Sequence, residues 1–310
     1  MGIQKGVSFS ARFSCRPKDA EEKSGMAYIG NEEIDLQLTL IDSAQCFRWV
    51  KAGDAFGAVI GDRPVWLWQE GGELHAVGID PAAARDYLDL NRDYGRLAEA
   101  CSAYPAAQHA IARYPGLRVL NQPVWDVLVM FILSANNNVS RIRKLCDALA
   151  AACGPAFETP RGVLRGLPLP ERLASCTEAE LRALGMGYRA PYLIGTARAV
   201  AGGFPLDALC RMDVEDAHRM LVQLPGVGDK VADCVLLFGC RHAEAFPVDV
   251  WVRRLMAGWF GVESARRGEV AARARAMFGS EAGLVQQFLF HAARMGALDT
   301  GGSPAQGRAG

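Results

Sequence analysis

The chain has 310 residues, half of them apolar, with 34 basic and 34 acidic side chains that cancel to a formal net charge of +0. That length calls for about two domains and a sizeable core, while neutrality argues against bulk adhesion to nucleic acid and requires any DNA to be held by a local patch. No apolar run approaches a membrane span, and Lys5, Arg12, Arg16 and Lys18 are not followed by an apolar signal segment, so an intracellular protein with no membrane partner is expected. The nine cysteines include no C-x-x-C spacing; neither a zinc site nor a four-cysteine iron–sulfur loop is spelled, and free thiols are expected.

In chain order, residues 1–25 are polar and lack periodicity, which predicts a disordered tail. Short β-rich runs follow at 36–40, 46–49, 56–60, 65–68 and 74–77, separated by the turn signals Lys51-Ala52-Gly53-Asp54, Gly61-Asp62-Arg63-Pro64 and Glu70-Gly71-Gly72. They read as an antiparallel sheet of hairpins. Asp80-Pro81 then starts a helical pattern that continues almost to the end. The expected class is α+β, with an N-terminal antiparallel sheet domain with helices over 26–120, a mostly α-helical domain over 121–299 and a second disordered tail at 300–310.

The apolar helix 123–133 delivers Ser134-Ala135-Asn136-Asn137-Asn138 to a helix junction. Asn138 is placed to cap the next helix, whose core face is Val139, Ile142, Leu145 and Leu149 while Arg141 lies on another face. Capping needs one amide, so the others are available to bind donors and acceptors. Thr177-x-x-Glu180 spells a capping box, the short helix after it ends at Gly185-Met186-Gly187, and Tyr188-Arg189 open the next one.

Asp213 caps a helix over 214–223 that runs into Leu224-Pro225-Gly226-Val227-Gly228, and Val231, Val235 and Phe238 begin another helix behind it. This is a helix, a glycine hairpin and a helix. Its backbone N–H groups, at the positive end of the second helix, suit a phosphate. The hairpin ends at Lys230, one of 6 lysines against 28 arginines and the only lysine after Lys144. Arginine would serve a generic phosphate contact equally well, but only lysine forms a Schiff base. Cys234 lies four residues on, on the same face, and Pro247-Val248-Asp249 presents a carboxylate before another helix. The bland alternatives are a solvated Lys230, a small buried Cys234 and an ordinary N-cap at Asp249 worth about 1 kcal/mol. In the last helix, Gln286 and Phe290 share a face and supply an amide and a ring, the two features a base pocket needs; a polar boundary residue beside a core aromatic fits them equally.

The segment 224–249 resembles the helix-hairpin-helix DNA glycosylases, and looks most like the eukaryotic-type 8-oxoguanine DNA glycosylase/AP lyase family, over roughly residues 31–298. The resemblance implies base-excision repair of double-stranded DNA by a monomeric bifunctional glycosylase and lyase. It makes Lys230 the nucleophile and Asp249 its electrostatic partner, pairs Cys234 with Lys230, and places Ala44, Gln286 and Phe290 around the extruded base. By the same analogy Asn136 fills the gap in the duplex, Arg141, Tyr188 and Arg189 attend the orphaned base, and Gly226, Gly228 and Trp251 meet the backbone. No cofactor is implied beyond a K+ or Na+ ion at the carbonyls of Leu224 and Val227. Two positions depart from the family: Ala44 replaces a glycine whose carbonyl meets N7 of the lesion, and Trp251 replaces a phosphate-contacting histidine. Ala44 keeps open a glycosylase for alkylated or other oxidised bases, and a non-catalytic helix-hairpin-helix DNA-binding module is the more distant alternative. Heavy use of Ala and Arg points to a GC-rich prokaryotic genome, hence to the cytoplasm or nucleoid; in a eukaryote the place of action would be the nucleus.

Overall fold

The computed structural model describes residues 26–264 and 266–298, so both expected tails, 1–25 and 300–310, lie outside the described residues. Strands β1 (Met26–Asn31), β2 (Val50–Ala52), β3 (Ala55–Ile60), β4 (Arg63–Glu70) and β5 (Glu73–Val77) form an antiparallel sheet in the order β1-β5-β4-β3-β2. Phe56 faces Leu67 and Leu67 faces Ala76 across it. Alternation along β4 sends Val65 and Leu67 to the main core and Trp66 and Trp68 to a smaller cluster with Leu164. Leu164 belongs to β7 (Leu164–Arg165), which pairs with β6 (Ala156–Phe157) as a short ribbon.

Helices α1 (Pro81–Tyr87), α2 (Tyr94–Ala100) and α3 (Pro105–Arg113) follow the sheet. Next come α4 (Val124–Leu133), α5 (Val139–Cys153), α6 (Pro170–Ala174), α7 (Glu178–Ala183), α8 (Ala190–Ala201) and α9 (Leu206–Leu209). The last helices among the described residues are α10 (Val214–Leu221), α11 (Asp229–Phe238), α12 (Val250–Phe260), α13 (Arg267–Phe278) and α14 (Ala282–Arg294). The α+β class is as expected. Side chains of Asn138, Asp213 and Asp249 cap α5, α10 and α12, and Thr177 and Glu180 form the complete capping box of α7. Every residue of α4 from Val127 to Leu133 is buried, and Phe131 stacks on Phe238 of α11 with ring centroids 5.5 Å apart. That contact fixes the end of α4 against the second helix of the hairpin motif.

The sheet expectation fails at two of its five runs. Residues 36–40 are helical, with a single π-helical turn at Gln37–Asp42, and 46–49 are buried without joining the sheet. Leu36, Leu38 and Leu40 alternate like a strand, but Leu36 and Leu40 are also four apart, and a run this short does not separate the two periods. Asp35 decides locally by accepting the Leu38 N–H at 2.8 Å. Two strands of the sheet are unexpected: β2, whose Lys51-Ala52 reads in the sequence as part of a turn, and β1, whose pairing with β5 is broken by a register shift between Tyr28 and Gly30.

The segment after the π turn is held by buried amides. Gln45 donates to the carbonyls of Thr39 at 3.1 Å and Arg118 at 2.8 Å and accepts the Leu120 N–H at 2.8 Å, while Gln122 donates to the Gln45 carbonyl at 2.9 Å. From α14, Gln287 donates to the Ser43 carbonyl at 2.8 Å. Ala44 is therefore fixed from both sides.

Candidate active site

A cavity of about 770 Å³ opens where the hairpin, the end of α4, the start of α12, α14 and the Ala44 segment meet. Lys230, Asp249, Cys234, Ala44, Gln286 and Phe290 all line it, so residues spread over most of the chain converge on one space. Asn136, Tyr188, Gly226, Gly228 and Trp251 line it as well.

Lys230 stands half-buried on the first turn of α11. Its Nζ donates to Ser134 Oγ at 3.0 Å and lies 4.4 Å from the centroid of the Phe131 ring. Cys234, one turn on, is fully buried, and burial pushes its thiol up to about 12 against the opposing pull of Lys230. At neutral pH it is a thiol beside the amine. Asp249 caps α12 through a 2.8 Å bond from the Val252 N–H to Oδ1, so the N-cap reading and the cavity position both hold. Gln286 is 4% exposed, and its Oε1 has no hydrogen-bond partner among the described residues. A buried amide oxygen left open on a cavity wall is a site for an incoming donor.

Ala44 is buried at φ +57, in the left-handed region that favours glycine. In the hairpin, only one of the two glycines is required sterically. Gly226 lies at φ +78, and a Cβ there would meet Tyr192 Cβ at 2.6 Å; a Cβ on Gly228 would meet nothing within 4 Å. A hairpin with two glycines suggests that both are needed for tightness, but the steric demand falls on Gly226 alone, and Gly228 is an open approach to the start of α11.

The junction before α5 divides its amides as follows: Asn138 caps the helix, Asn137 donates to the Leu133 carbonyl at 3.1 Å, and Asn136 is exposed at φ +47 with no side-chain partner among the described residues. Tyr188 donates through its hydroxyl to the Ala135 carbonyl at 2.9 Å, is 46% exposed and stands beside Tyr192. Arg189, expected at the orphaned base, is instead 3% exposed; its guanidinium donates to the carbonyls of Ala135 and Asn136 and covers the Tyr188 ring at 4.4 Å. Arg141 is exposed on α5, outside the cavity wall. Trp251 is 44% exposed at the cavity. Sequence reasoning assigned no role to Ser134, Gln287 or Arg294; a serine ending an apolar helix and a second glutamine inside a buried one were the available signals.

Two family models match this arrangement. Residues 129–278 match the HhH-GPD superfamily base excision DNA repair protein, and residues 27–128 match the 8-oxoguanine DNA glycosylase N-terminal domain. The chain is 31% identical over 281 residues to the N-glycosylase/DNA lyase OGG1 of Arabidopsis thaliana, covering 83% of this chain and 77% of that one. It is 41% identical over 153 residues to the N-glycosylase/DNA lyase of Saccharomyces cerevisiae, a match that spans 45% of this chain and only 41% of the yeast protein. Among solved structures, the 8-oxoguanine glycosylase/lyase of Clostridium acetobutylicum, in complex with double-stranded DNA containing cytosine opposite 8-oxoguanine, superposes with a TM-score of 0.80 at 28% identity, covering 86% of this chain and 94% of that one. The fold and the site are thus those of a helix-hairpin-helix base-excision protein. Within that superfamily, the chain belongs to the 8-oxoguanine DNA glycosylase family.

Proposed function

We propose that the protein excises 8-oxoguanine opposite cytosine from double-stranded DNA and then cuts the resulting abasic strand. The observation that carries this reading is the half-buried Lys230 amine, held by Ser134 on the wall of a cavity that Gln286, with its buried and unpartnered carbonyl oxygen, and the Phe290 ring also line. A non-catalytic module would have no use for an enclosed amine.

The flipped base stacks on Phe290, donates from its Watson–Crick edge to Gln286 Oε1 and donates N7–H to the Ala44 carbonyl. The Lys230 nitrogen lone pair forms a bond to C1′ as the glycosidic bond breaks, and its electrons leave with the base, which takes up a proton. Asp249, with one oxygen given to the α12 cap, offsets positive charge that develops on the sugar. Ring opening yields the Schiff base, and loss of a proton from C2′ expels the 3′ phosphate by β-elimination. Asn136 fills the vacated position and Arg141 reads the orphaned cytosine, while Tyr188 wedges beside it. Arg189 supports that group from behind by holding the Ala135 and Asn136 carbonyls.

The same reading assigns DNA phosphate to the hairpin. The N–H groups of Gly226 and Gly228 have no protein acceptor among the described residues, and Trp251 adds an uncharged indole donor. A K+ or Na+ ion fits the hairpin through the carbonyls of Val227, which accepts no bond, and Leu224, which accepts only the Val227 N–H at 3.1 Å, among the described residues. Such an ion would supply charge toward a phosphate. A monomer acting where the cell keeps its DNA, cytoplasm or nucleoid in a prokaryote and nucleus in a eukaryote, completes the proposal. The test is single-turnover base release from duplexes carrying 8-oxoguanine opposite each of the four bases. Release fastest opposite cytosine is expected; no release from any of them would defeat the proposal.

A further inference from the structure

The charge on the cavity wall is lopsided. Its lining carries three cations, Lys230, Arg267 and Arg294, and one carboxylate, Asp249. Arg267 is exposed and Lys230 is engaged by Ser134. Arg294 is half-buried, with Nη1 fully enclosed and no acceptor for it among the described residues.

Arg294 ends α14, and it follows Gln286 and Phe290 at successive four-residue steps, so the three side chains lie along one helix face. Two other charged groups act on it, and both have other partners. Asp42 accepts from Gln37 at 3.2 Å, and Arg143 donates to the Ile41 carbonyl and, at 3.5 Å, to that of Trp49. His291, one turn closer to Gln286, is pushed down to about 4 by burial and by Arg294, so it adds no charge at neutral pH. A buried guanidinium donor without an acceptor is costly to keep unless an acceptor arrives with the ligand.

We propose that Arg294 determines which damaged purines the cavity accepts: its guanidinium donates to a carbonyl oxygen of a neutral oxidised purine, and its charge rejects purines made cationic by alkylation. Oxidised guanine carries carbonyl oxygens on both of its rings and no formal charge. Purines alkylated at N7 or N3 are cations, and a guanidinium in a water-poor cavity repels them far more than it would in solvent. The inference rests on the base-excision reading above and adds its substrate boundary.

The experiment compares wild type, Arg294→Leu and Arg294→Lys on duplexes carrying 8-oxoguanine opposite cytosine or 7-methylguanine opposite cytosine. Rates are normalised to cleavage of a preformed abasic site, which needs Lys230 but no base. In Arg294→Leu, normalised release of 8-oxoguanine is expected to fall about tenfold or more and release of 7-methylguanine to rise, collapsing the ratio between them. Arg294→Lys, which keeps the charge but not the fork, should retain the rejection of 7-methylguanine and recover only part of the 8-oxoguanine rate. An unchanged ratio in Arg294→Leu overturns this inference alone. Wild type that cuts the abasic site but releases no 8-oxoguanine overturns the base-excision reading and this inference with it.

Discussion

Lys230 Nζ donates to Ser134 Oγ at 3.0 Å, and the same hydroxyl donates onward to the Phe131 carbonyl at 2.7 Å. The amine of α11 is thereby tied to the last turn of α4, with the Phe131 ring against it. Position and not polarity alone is what this hydroxyl supplies, because a nucleophile must be held near its line of attack. Ser134→Ala should slow single-turnover base release roughly tenfold, the scale of one lost hydrogen bond, while leaving affinity for the damaged duplex within about twofold, since no DNA contact is removed. Equal loss of affinity would show that Ser134 shapes the cavity and does not aim the amine.

The two hairpin glycines should respond in opposite ways. Gly226→Ala forces a Cβ against Tyr192 at 2.6 Å and holds alanine at φ +78, which is expected to cost about 1–3 kcal/mol of stability, read as a lower denaturant midpoint. Gly228→Ala meets nothing within 4 Å and sits at φ −104, so stability should stay within about 0.5 kcal/mol. Its methyl group would instead obstruct the phosphate at the start of α11, and DNA affinity should fall.

Behind the nucleophile, Asp233 of α11 is 4% exposed, with its Oδ1 3.8 Å from His218 Nε2. Burial raises its pKa to about 8, with Asp229 adding to the rise and Arg275 opposing it. An unfolded aspartate titrates near ~3.9. Between those values the native state holds a proton that the unfolded state has lost, so the contribution to stability is full below about pH 4 and disappears as pH rises through about 8. Asp233→Asn should remove that slope. Melting curves at pH 5 and pH 8 should show the variant gaining on wild type by at least about 1 kcal/mol at the higher pH. A constant difference across that range would contradict the protonated native carboxyl.

Local signals made much of this molecule legible in its sequence. Asn138, Asp213, Asp249 and the Thr177 and Glu180 pair mark helix starts by contacts within three residues, and the structure uses all of them as caps. Lys230 and Gln286 stood out because their residue types suit an enclosed reactive site, and both line the cavity. What could not be read depends on distant partners. Residues 46–49 stay outside the sheet in a segment held by Gln45, Gln122 and Gln287, whose partners lie as far as 244 positions away. Arg189 is buried because the carbonyls of Ala135 and Asn136 turn toward it, a relation that no spacing announces. Arg294 is one basic residue among many in the sequence, and its enclosed Nη1 and place in the cavity lining follow from the packing around it.

The central claim is that Lys230 bonds covalently to the sugar of a damaged nucleotide. Borohydride reduction during incubation with duplex DNA carrying 8-oxoguanine opposite cytosine tests it directly, with Lys230→Gln and an undamaged duplex as controls. A protein–DNA adduct is expected for wild type on the damaged duplex and for neither control. Base release by wild type without an adduct, or an adduct that survives in Lys230→Gln, would contradict the assignment of Lys230 as the nucleophile.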